Sequence, residues 1–379
     1  MKKILIVGSI GDNHIKRLIS HIKEHDKTSS LLIDSFNIIP YASENNSDFN
    51  KNYYIKKHFS HCLYKIKFIR FFIYLIDLYI SFYKIPGKYD LINIHYLTLT
   101  HCQLFPLFKL KSKKIMITPW GSDVYRIYSK KKLFIYRIIY KYSNFISTPP
   151  IKFRQDLISI FKFKEDKIIN LGFGSEIMDL LMENTISKES AKESLNFSDY
   201  YVITCGYNRN PAQNHIQIIK ELIKIKDKLP LETVLFFPMT YGPNDDGYII
   251  QIKELLNESK FSYKIFNTYL TNNEIVNIRV ATDIFIHLQN SDAYSATVQE
   301  FLYTDSWVIN GNWTRYPSLE KYEIPYIIVN SIQEFSARII NDISFNHQSN
   351  LISKETKTIL EDYSWNKKGL DWYYFYFNL

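Results

Sequence analysis

The chain has 379 residues, 46% hydrophobic and 22% charged, with a formal net charge of +9. This composition excludes a disordered protein, and the length suits two domains better than one core. Three scattered cysteines, Cys62, Cys102 and Cys205, have no metal-ligand spacing, which excludes a disulfide framework and points to a reducing compartment.

The opening MKKILIVGSIGD has an apolar run too short for a signal segment and reads as a first buried strand leading into a glycine turn, with a helix after it. Residues 31–36 read as the next strand, 45–52 as loop, and 62–85 as one helix. The apolar core of that helix, 68–83, is interrupted by Arg70 and Asp77 and is too short to span a bilayer, so it is either a half-buried helix or one lying in a membrane interface. Strands follow at 91–97, 113–121, 145–150 and 167–174, with helical periodicity over 128–143. The segment 173–199 is polar and aperiodic and reads as an interdomain linker. The pattern then restarts: strands at 201–207, 232–239, 262–267, 282–288, 306–311 and 326–331, separated by helices such as 213–227. Alternating short apolar strands and helices predict an α/β fold with a parallel sheet in each half. The expected domains are 1–180 and 195–362, with the aromatic-rich helix 365–379 packing back on the first.

Charge supports the division. Residues 1–190 carry 30 Lys and Arg against 16 Asp and Glu, whereas residues 191–379 carry 17 against 22; the stretch 51–150 alone has 18 against 3. The basic half would favour anionic lipid headgroups or pyrophosphates. Without zinc-finger spacing, a helix-turn-helix or an RNA-binding signature, no nucleic-acid partner is expected.

Five segments carry candidate chemistry. GSIGD, with Gly11, is either a tight turn or a place where backbone and helix start approach an anion. INIHYLTLTH puts His95 at the carboxyl end of a strand, where ligands of open α/β sheets sit, with His101 beyond; local hydrogen bonding is the structural alternative. TPWGSDVYR offers Asp123, a carboxylate able to orient an attacking hydroxyl or take its proton, with helix capping by Ser122 or Asp123 as the alternative or companion role. GYNRNPAQNH places Asn208, Arg209, Asn214 and His215 where a diphosphate would lie, with a polar loop capped by Asn as the alternative. SDAYSATVQEFLY separates Asp292 from Glu300 by seven residues, with Ser295, Ala296 and Thr297 opening a helix whose free amides suit a sugar or phosphate oxygen. Tyr269, after the strand 262–267, joins these as a candidate donor contact. The paired acids of NDDG, 244–247, read as an exposed turn, not a metal site.

The Asp292/Glu300 pair around SATVQEFLY resembles the E-x7-E motif of family-4 glycosyltransferases, with Asp in the first position. NIHYL and PWGSDVYR resemble first-domain elements of that family. GYNRNPAQNHIQII, FFPMTYG and SDAYSATVQEFL are also similar to the TDP-Fuc4NAc lipid II transferase family. The resemblance implies a GT-B fold, two facing Rossmann-like domains with parallel sheets. It implies a nucleotide-sugar donor, no metal or other cofactor in catalysis, and a glycan or lipid-pyrophosphate-linked acceptor in bacterial surface polysaccharide synthesis. By position, Glu300 resembles the ribose ligand, Asp292 the acid at the donor sugar, and His95 the first-domain histidine. Arg209 and Asn214 fall near the family's basic pair, where the usual Arg and Lys are replaced. The family-4 resemblance implies retention at the anomeric carbon; the second similarity leaves inversion open. The expected location is cytoplasmic, peripheral at the anionic inner face of the membrane. Two other readings are a nucleotide-sugar epimerase of the same fold and a non-catalytic binder of sugar nucleotides.

Overall fold

A computed structural model describes residues 1–43, 46–148, 151–292, 295–343 and 351–379. The start of the loop expected at 45–52 and the end of the strand expected at 145–150 lie outside them. The chain forms two compact units, Met1–Gly174 with Trp365–Leu379, and Ser175–Ser364.

The first unit is built on a seven-stranded parallel sheet of order β3-β2-β1-β4-β5-β6-β7. The strands are β1 (Lys2–Gly8), β2 (Leu31–Asn37), β3 (Asn52–Tyr54), β4 (Tyr89–His95), β5 (Ser112–Thr118), β6 (Phe145–Ser147) and β7 (Ile168–Ile169). β1 is apolar from Ile4 to Val7 and β4 is buried from Leu91 to His95, because helices cover both faces of a parallel sheet. Their register pairs Ile4 with Leu91 and Val7 with Ile94. The helix Asn13–His25 buries Ile15, Leu18, Ile19 and Ile22, an i, i+3, i+4, i+7 stripe, and starts where the Asp12 side chain accepts from His14 N–H. The helix Trp365–Phe377 returns to this unit and buries Trp365, Trp372 and Tyr376. Trp372 Nε1 donates to Gly172 O at 2.8 Å, and Asn93 Nδ2 on β4 donates to Tyr376 Oη at 2.8 Å.

The second unit has a six-stranded parallel sheet of order β10-β9-β8-β11-β12-β13. Its strands are β8 (Tyr201–Cys205), β9 (Thr233–Pro238), β10 (Ser262–Phe266), β11 (Ile284–His287), β12 (Trp307–Gly311) and β13 (Ile327–Val329). In each unit the strand order reverses beside the first strand, between β1 and β4 and between β8 and β11. Loops at the carboxyl ends of those pairs are where an open α/β sheet receives its ligand.

Three local expectations change. The single helix 62–85 is two, His61–Lys65 and Arg70–Tyr83; Ile66 is extended and Phe68 is 89% exposed, so a continuous helix would gain no burial there. The linker 173–199 is instead two short helices, Glu176–Glu183 and Lys188–Ser194, capped by Ser175 and Ser187, and the domain boundary falls at Gly174. Residues 175–180 therefore belong to the second unit. β3 starts at the last residue of the loop expected at 45–52 and was not expected as a strand, because an edge strand of three half-buried residues carries no apolar alternation. Among the described residues no helix is long and apolar enough to cross a membrane.

Candidate functional site

In the first unit the predicted residues gather at the carboxyl ends of β1, β4 and β5. Gly11 is half-buried in the turn after β1, but the close approach is made by Gly8, where a Cβ would lie 3.3 Å from His95 Cβ. His95 is fully buried. Trp120, Phe173 and Trp372 stand around its ring at centroid distances of 6.4, 6.1 and 6.4 Å. Neither ring nitrogen has a hydrogen-bond partner. Burial, then neighbouring His101 and His14, lower its pKa to about 3, so the ring is neutral near pH 7. His101 is engaged locally through one ring nitrogen: its Nδ1 accepts from Thr98 N–H at 3.0 Å at the start of the helix Leu99–Lys111.

Asp123 clamps two loops. Its Oδ2 accepts from Leu97 N–H at 3.0 Å after β4, and its Oδ1 from Trp120 N–H at 2.9 Å after β5. The N-cap of the short helix Ser122–Tyr125 is Gly121, at φ 98°, so neither Ser122 nor Asp123 caps it. Both Asp123 oxygens are engaged and the residue is buried, which makes it a loop-positioning group as well as a candidate base. Burial raises its pKa to about 6, against the lowering effect of the backbone N–H groups. A folded-state value above the unfolded one means that the folded chain takes up a proton first, so this group adds stability as pH falls from about 6 toward 4. Asp123→Asn removes that titration. From pH 7 to pH 4, wild type should gain roughly 2–3 kcal/mol relative to the variant in urea unfolding.

In the second unit the loops after β8 and β11 hold one another. Asn214, at φ 62°, donates from Nδ2 to Leu288 O at 2.6 Å and Asn290 Oδ1 at 2.8 Å. Gln213 Nε2 donates to Gln289 Oε1 at 2.8 Å. Asn214 is thus a strut between the loops, not an open diphosphate donor. Asn208 is buried and its Oδ1 accepts from Asn210 N–H at 2.9 Å. Arg209 is half-buried and donates from Nε to Gly242 O at 3.0 Å.

Tyr316 donates its hydroxyl to Asp292 Oδ2 and in turn accepts from Ser295 N–H. His287, at the end of β11, places Nε2 4.0 Å from the same carboxylate oxygen, while its Nδ1 is 2.7 Å from Asn310 Oδ1. Tyr207 stacks on the His287 ring at 5.9 Å. Burial lowers the pKa of His287, against the raising effect of Asp292. Ser295 is the N-cap of the helix Ala296–Tyr303, but its side chain makes no capping bond, and Ala296 is exposed while Thr297 is half-buried. The first-turn amides therefore lack the side-chain acceptor that usually satisfies one of them.

Glu300 differs from an open ribose ligand. It is 4% exposed; Oε2 accepts from Arg279 Nε at 2.9 Å and Oε1 from Ser175 Oγ at 2.6 Å. The carboxylate ties the helix Ala296–Tyr303 to the helix Asn272–Ala281 and to Ser175. Tyr269 is not brought to the cluster: it follows the edge strand β10 and is 85% exposed. Asp245 of NDDG caps the helix Asp246–Ser259, and among the described residues no group of three or more His, Cys, Asp or Glu could hold a metal ion. His287, Tyr316, Tyr207, Gln213 and Gln289 were not foreseen. The one sequence signal for them is their position just after strands that flank the order reversal, apart from Tyr316.

Two parallel-sheet Rossmann-like units with these strand orders define the GT-B fold. The particular likenesses are distant: sucrose-phosphate synthase from Thermosynechococcus elongatus superposes with a TM-score of 0.70 at 12% identity, covering 99% of this chain and 98% of that one. A glycosyltransferase from Rickettsia africae gives 0.70 at 14% identity, covering 99% and 97%. Anabaena HepE in complex with UDP and glucose gives 0.69 at 11%, covering 100% of both. The sequence matches no protein-family model and no curated protein.

Proposed function

We propose that the chain is a glycosyltransferase that moves a sugar from a nucleoside-diphosphate sugar to a hydroxyl of a glycan or lipid-linked acceptor. One observation carries this reading. Beside the order reversal of the second sheet, Gln213 Oε1, His215 Nε2, His287 Nε2 and Gln289 Nε2 are buried without hydrogen-bond partners. Buried polar groups are normally paired, and each unpaired one costs roughly 1–3 kcal/mol. A hydroxyl-rich, anionic ligand at the carboxyl ends of β8 and β11 would satisfy groups of this kind. The GT-B structure of HepE holding UDP and glucose supports a ligand of that class.

In the proposed reaction the acceptor oxygen bonds to the anomeric carbon on the same face from which the diphosphate departs, as the bond to the diphosphate breaks. Arg209 and the amides at Ser295–Thr297 face the charge that develops on the leaving diphosphate. The Asp292 carboxylate, aligned by Tyr316, takes hydrogen bonds from donor-sugar hydroxyls, and Glu300 fixes the helix that presents those amides. In the first unit, neutral His95 offers a ring nitrogen to a substrate hydroxyl, and Asp123 orients a hydroxyl or receives its proton. No metal is assigned a step. The product keeps the donor's anomeric configuration, which the anomeric proton coupling of the product reads. The enzyme works at the cytoplasmic face of the membrane in surface polysaccharide synthesis, its basic first unit held to anionic lipid.

A panel of UDP-, dTDP- and GDP-sugars tests the reading by thermal unfolding. A donor at 100 times its Kd should stabilise the chain by about 2.7 kcal/mol. Asp292→Asn should lower transfer by roughly 10²-fold while a nucleoside diphosphate still stabilises the protein. No stabilisation by any sugar nucleotide would end the proposal.

A further inference from the structure

The opposite rim of the first sheet holds a cavity of about 280 Å³ that the proposed reaction does not use, lined by Lys3, Leu32, Asp34, Asn50, Lys51 and Tyr53. Lys3 and Leu32 are the second residues of β1 and β2, and Lys51 directly precedes β3. The cavity therefore lies at the amino ends of these parallel strands. His95 stands at the carboxyl end of the seven-residue β4, roughly 20 Å further along the strands at about 3.3 Å per residue.

Register explains the lining. Lys3 pairs with Leu32 and Tyr53 with Phe36. Partners in register, and residues two apart on a strand, point to the same side of a sheet, so Lys3, Leu32, Asp34 and Tyr53 share one face. Backbone bonds fix the rest of the wall. Asn50 N–H donates to Ile33 O at 2.8 Å, Asn50 Oδ1 accepts from Ile33 N–H at 2.8 Å, and Ser35 N–H donates to Lys51 O at 2.9 Å. These bonds hold Lys51 level with Asp34. Gly87, which also lines the cavity, turns at φ 78°, and a Cβ there would lie 3.6 Å from Lys3 Nζ.

Asp34 is the residue out of place. It stands in the apolar run of β2 and is 7% exposed. A buried carboxylate is costly unless its oxygens are paired. Its Oδ2 accepts from Tyr89 Oη at 2.8 Å, and the Tyr89 hydroxyl is joined to that of Tyr53. Among the described residues no hydrogen bond reaches Oδ1, and no ion pair engages Lys3 or Lys51. Asp90 on β4 is already taken, by Lys113 Nζ at 2.8 Å and by the Lys3 N–H at 2.9 Å. One cavity thus presents two ammoniums without a counter-ion and a buried carboxylate with an open oxygen. A simple anion would suit the lysines but be repelled by Asp34; a neutral polyol would suit Asp34 but leave the lysines bare. A ligand that meets both carries an anionic group and a hydroxyl. Two ammoniums favour a dianion, hence a phosphate over a carboxylate. The half-buried Leu32 and Tyr53 offer apolar surface to the C–H side of a sugar. Pockets for drug-sized ligands run from about 300 to 1,000 Å³, so a nucleoside-diphosphate sugar is too large for this one.

We propose that this rim is a binding site for a small phosphate monoester of a polyol, of the size of a hexose phosphate, with the phosphate between Lys3 and Lys51 and a hydroxyl donating to Asp34 Oδ1. The site is separate from the donor site and does not depend on the glycosyltransferase reading. The probe is glucose 6-phosphate, titrated by calorimetry into the full chain. It should bind at least tenfold tighter than inorganic phosphate or glucose. Lys3→Ala/Lys51→Ala should weaken it at least tenfold; both lysines are exposed, and unchanged thermal unfolding confirms folding. Asp34→Asn keeps an acceptor for Tyr89 but loses the open carboxylate oxygen, and should bring glucose 6-phosphate close to inorganic phosphate. If Asp34→Asn does not fold, the lysine pair decides alone. Absence of binding, or binding indifferent to the lysine changes, overturns the proposal. Equal affinity for inorganic phosphate would identify a plain anion site, and equal affinity for glucose a neutral sugar site; either overturns it. Excess UDP should leave glucose 6-phosphate bound. Displacement by UDP would put the ligand at the donor site and overturn the assignment to this rim.

Discussion

Glu300→Ala should lower the unfolding midpoint sharply and weaken sugar-nucleotide binding in the same variant. The carboxylate is buried and paired with Arg279 Nε at 2.9 Å. Removing one partner of a buried ion pair leaves the other charge uncompensated and costs about 3–5 kcal/mol. Arg279 keeps its contact over the Phe301 ring at 4.4 Å, which returns only part of that. Ser175 Oγ also loses its acceptor, although it still receives Met178 N–H at 3.2 Å. At roughly 2–4 °C per kcal/mol for a domain of this size, the midpoint should fall by about 6–20 °C. Two further variants separate the causes. Glu300→Gln keeps an oxygen for Ser175 but loses the charge, and should fall between wild type and alanine. Arg279→Met in the Glu300→Ala background removes the orphaned cation and should recover much of the loss, because replacing a whole buried pair with apolar groups is often neutral. Donor binding should not recover with it if the carboxylate itself meets the ribose. Recovery of both would make Glu300 a positioning residue for the helix Ala296–Tyr303. A midpoint unmoved by Glu300→Ala would show that the pair does not form.

That ambiguity marks the limit of sequence reading here. The strands were legible because central parallel strands are short apolar runs, and the helix Asn13–His25 because a glycine turn leads into it; the caps Asp245 and Ser353 of the helices Asp246–Ser259 and Lys354–Glu361 were not read as such. The segment 175–194 was not legible, since its serines are caps of short helices and look like linker composition. The position of the candidate site was legible in the same way: glycines and polar residues directly after β1, β4, β8 and β11. The engagement of each side chain was not. Glu300 is joined to Ser175 across 125 residues, Asn214 to Leu288 across 74, and Asn93 to Tyr376 across 283. Such pairings come from tertiary packing, and no local periodicity encodes them. Asp77 makes the same point in reverse: a charge that breaks an apolar pattern proves to be the bond that organises Tyr41, Tyr64 and His58.

Trp372→Ala should destabilise the first unit by about 3–5 kcal/mol, the usual range for emptying a buried aromatic site. It also removes the Nε1 bond to Gly172 O and leaves Tyr376, whose ring lies 5.5 Å away, facing a void. The consequence for the site is more telling than the loss of stability. Trp372 covers His95 nearly in parallel, at 28°. Burial by this ring and its neighbours is what holds the imidazole neutral, with its pKa at about 3. A cavity opened at Trp372 sits beside unpaired ring nitrogens, so it is polar enough to admit water. Hydration should let the pKa climb back toward 6.5, with a midpoint above 5 in a proton NMR titration. The stability curve should change with it. A histidine with a depressed folded pKa lets the unfolded chain bind the extra proton, so wild type loses stability as pH falls below about 6.5. In Trp372→Ala the part of that loss due to His95 should shrink, and the difference between variant and wild type should narrow from pH 7 to pH 4. Trp372→Phe refills most of the volume without the Nε1–H donor. It should cost about 0.5–1.5 kcal/mol for the lost bond and leave His95 neutral. If His95 titrates identically in all three proteins, its low pKa comes from the surrounding Trp120 and Phe173 alone, and the returning helix serves the fold without touching the site's chemistry.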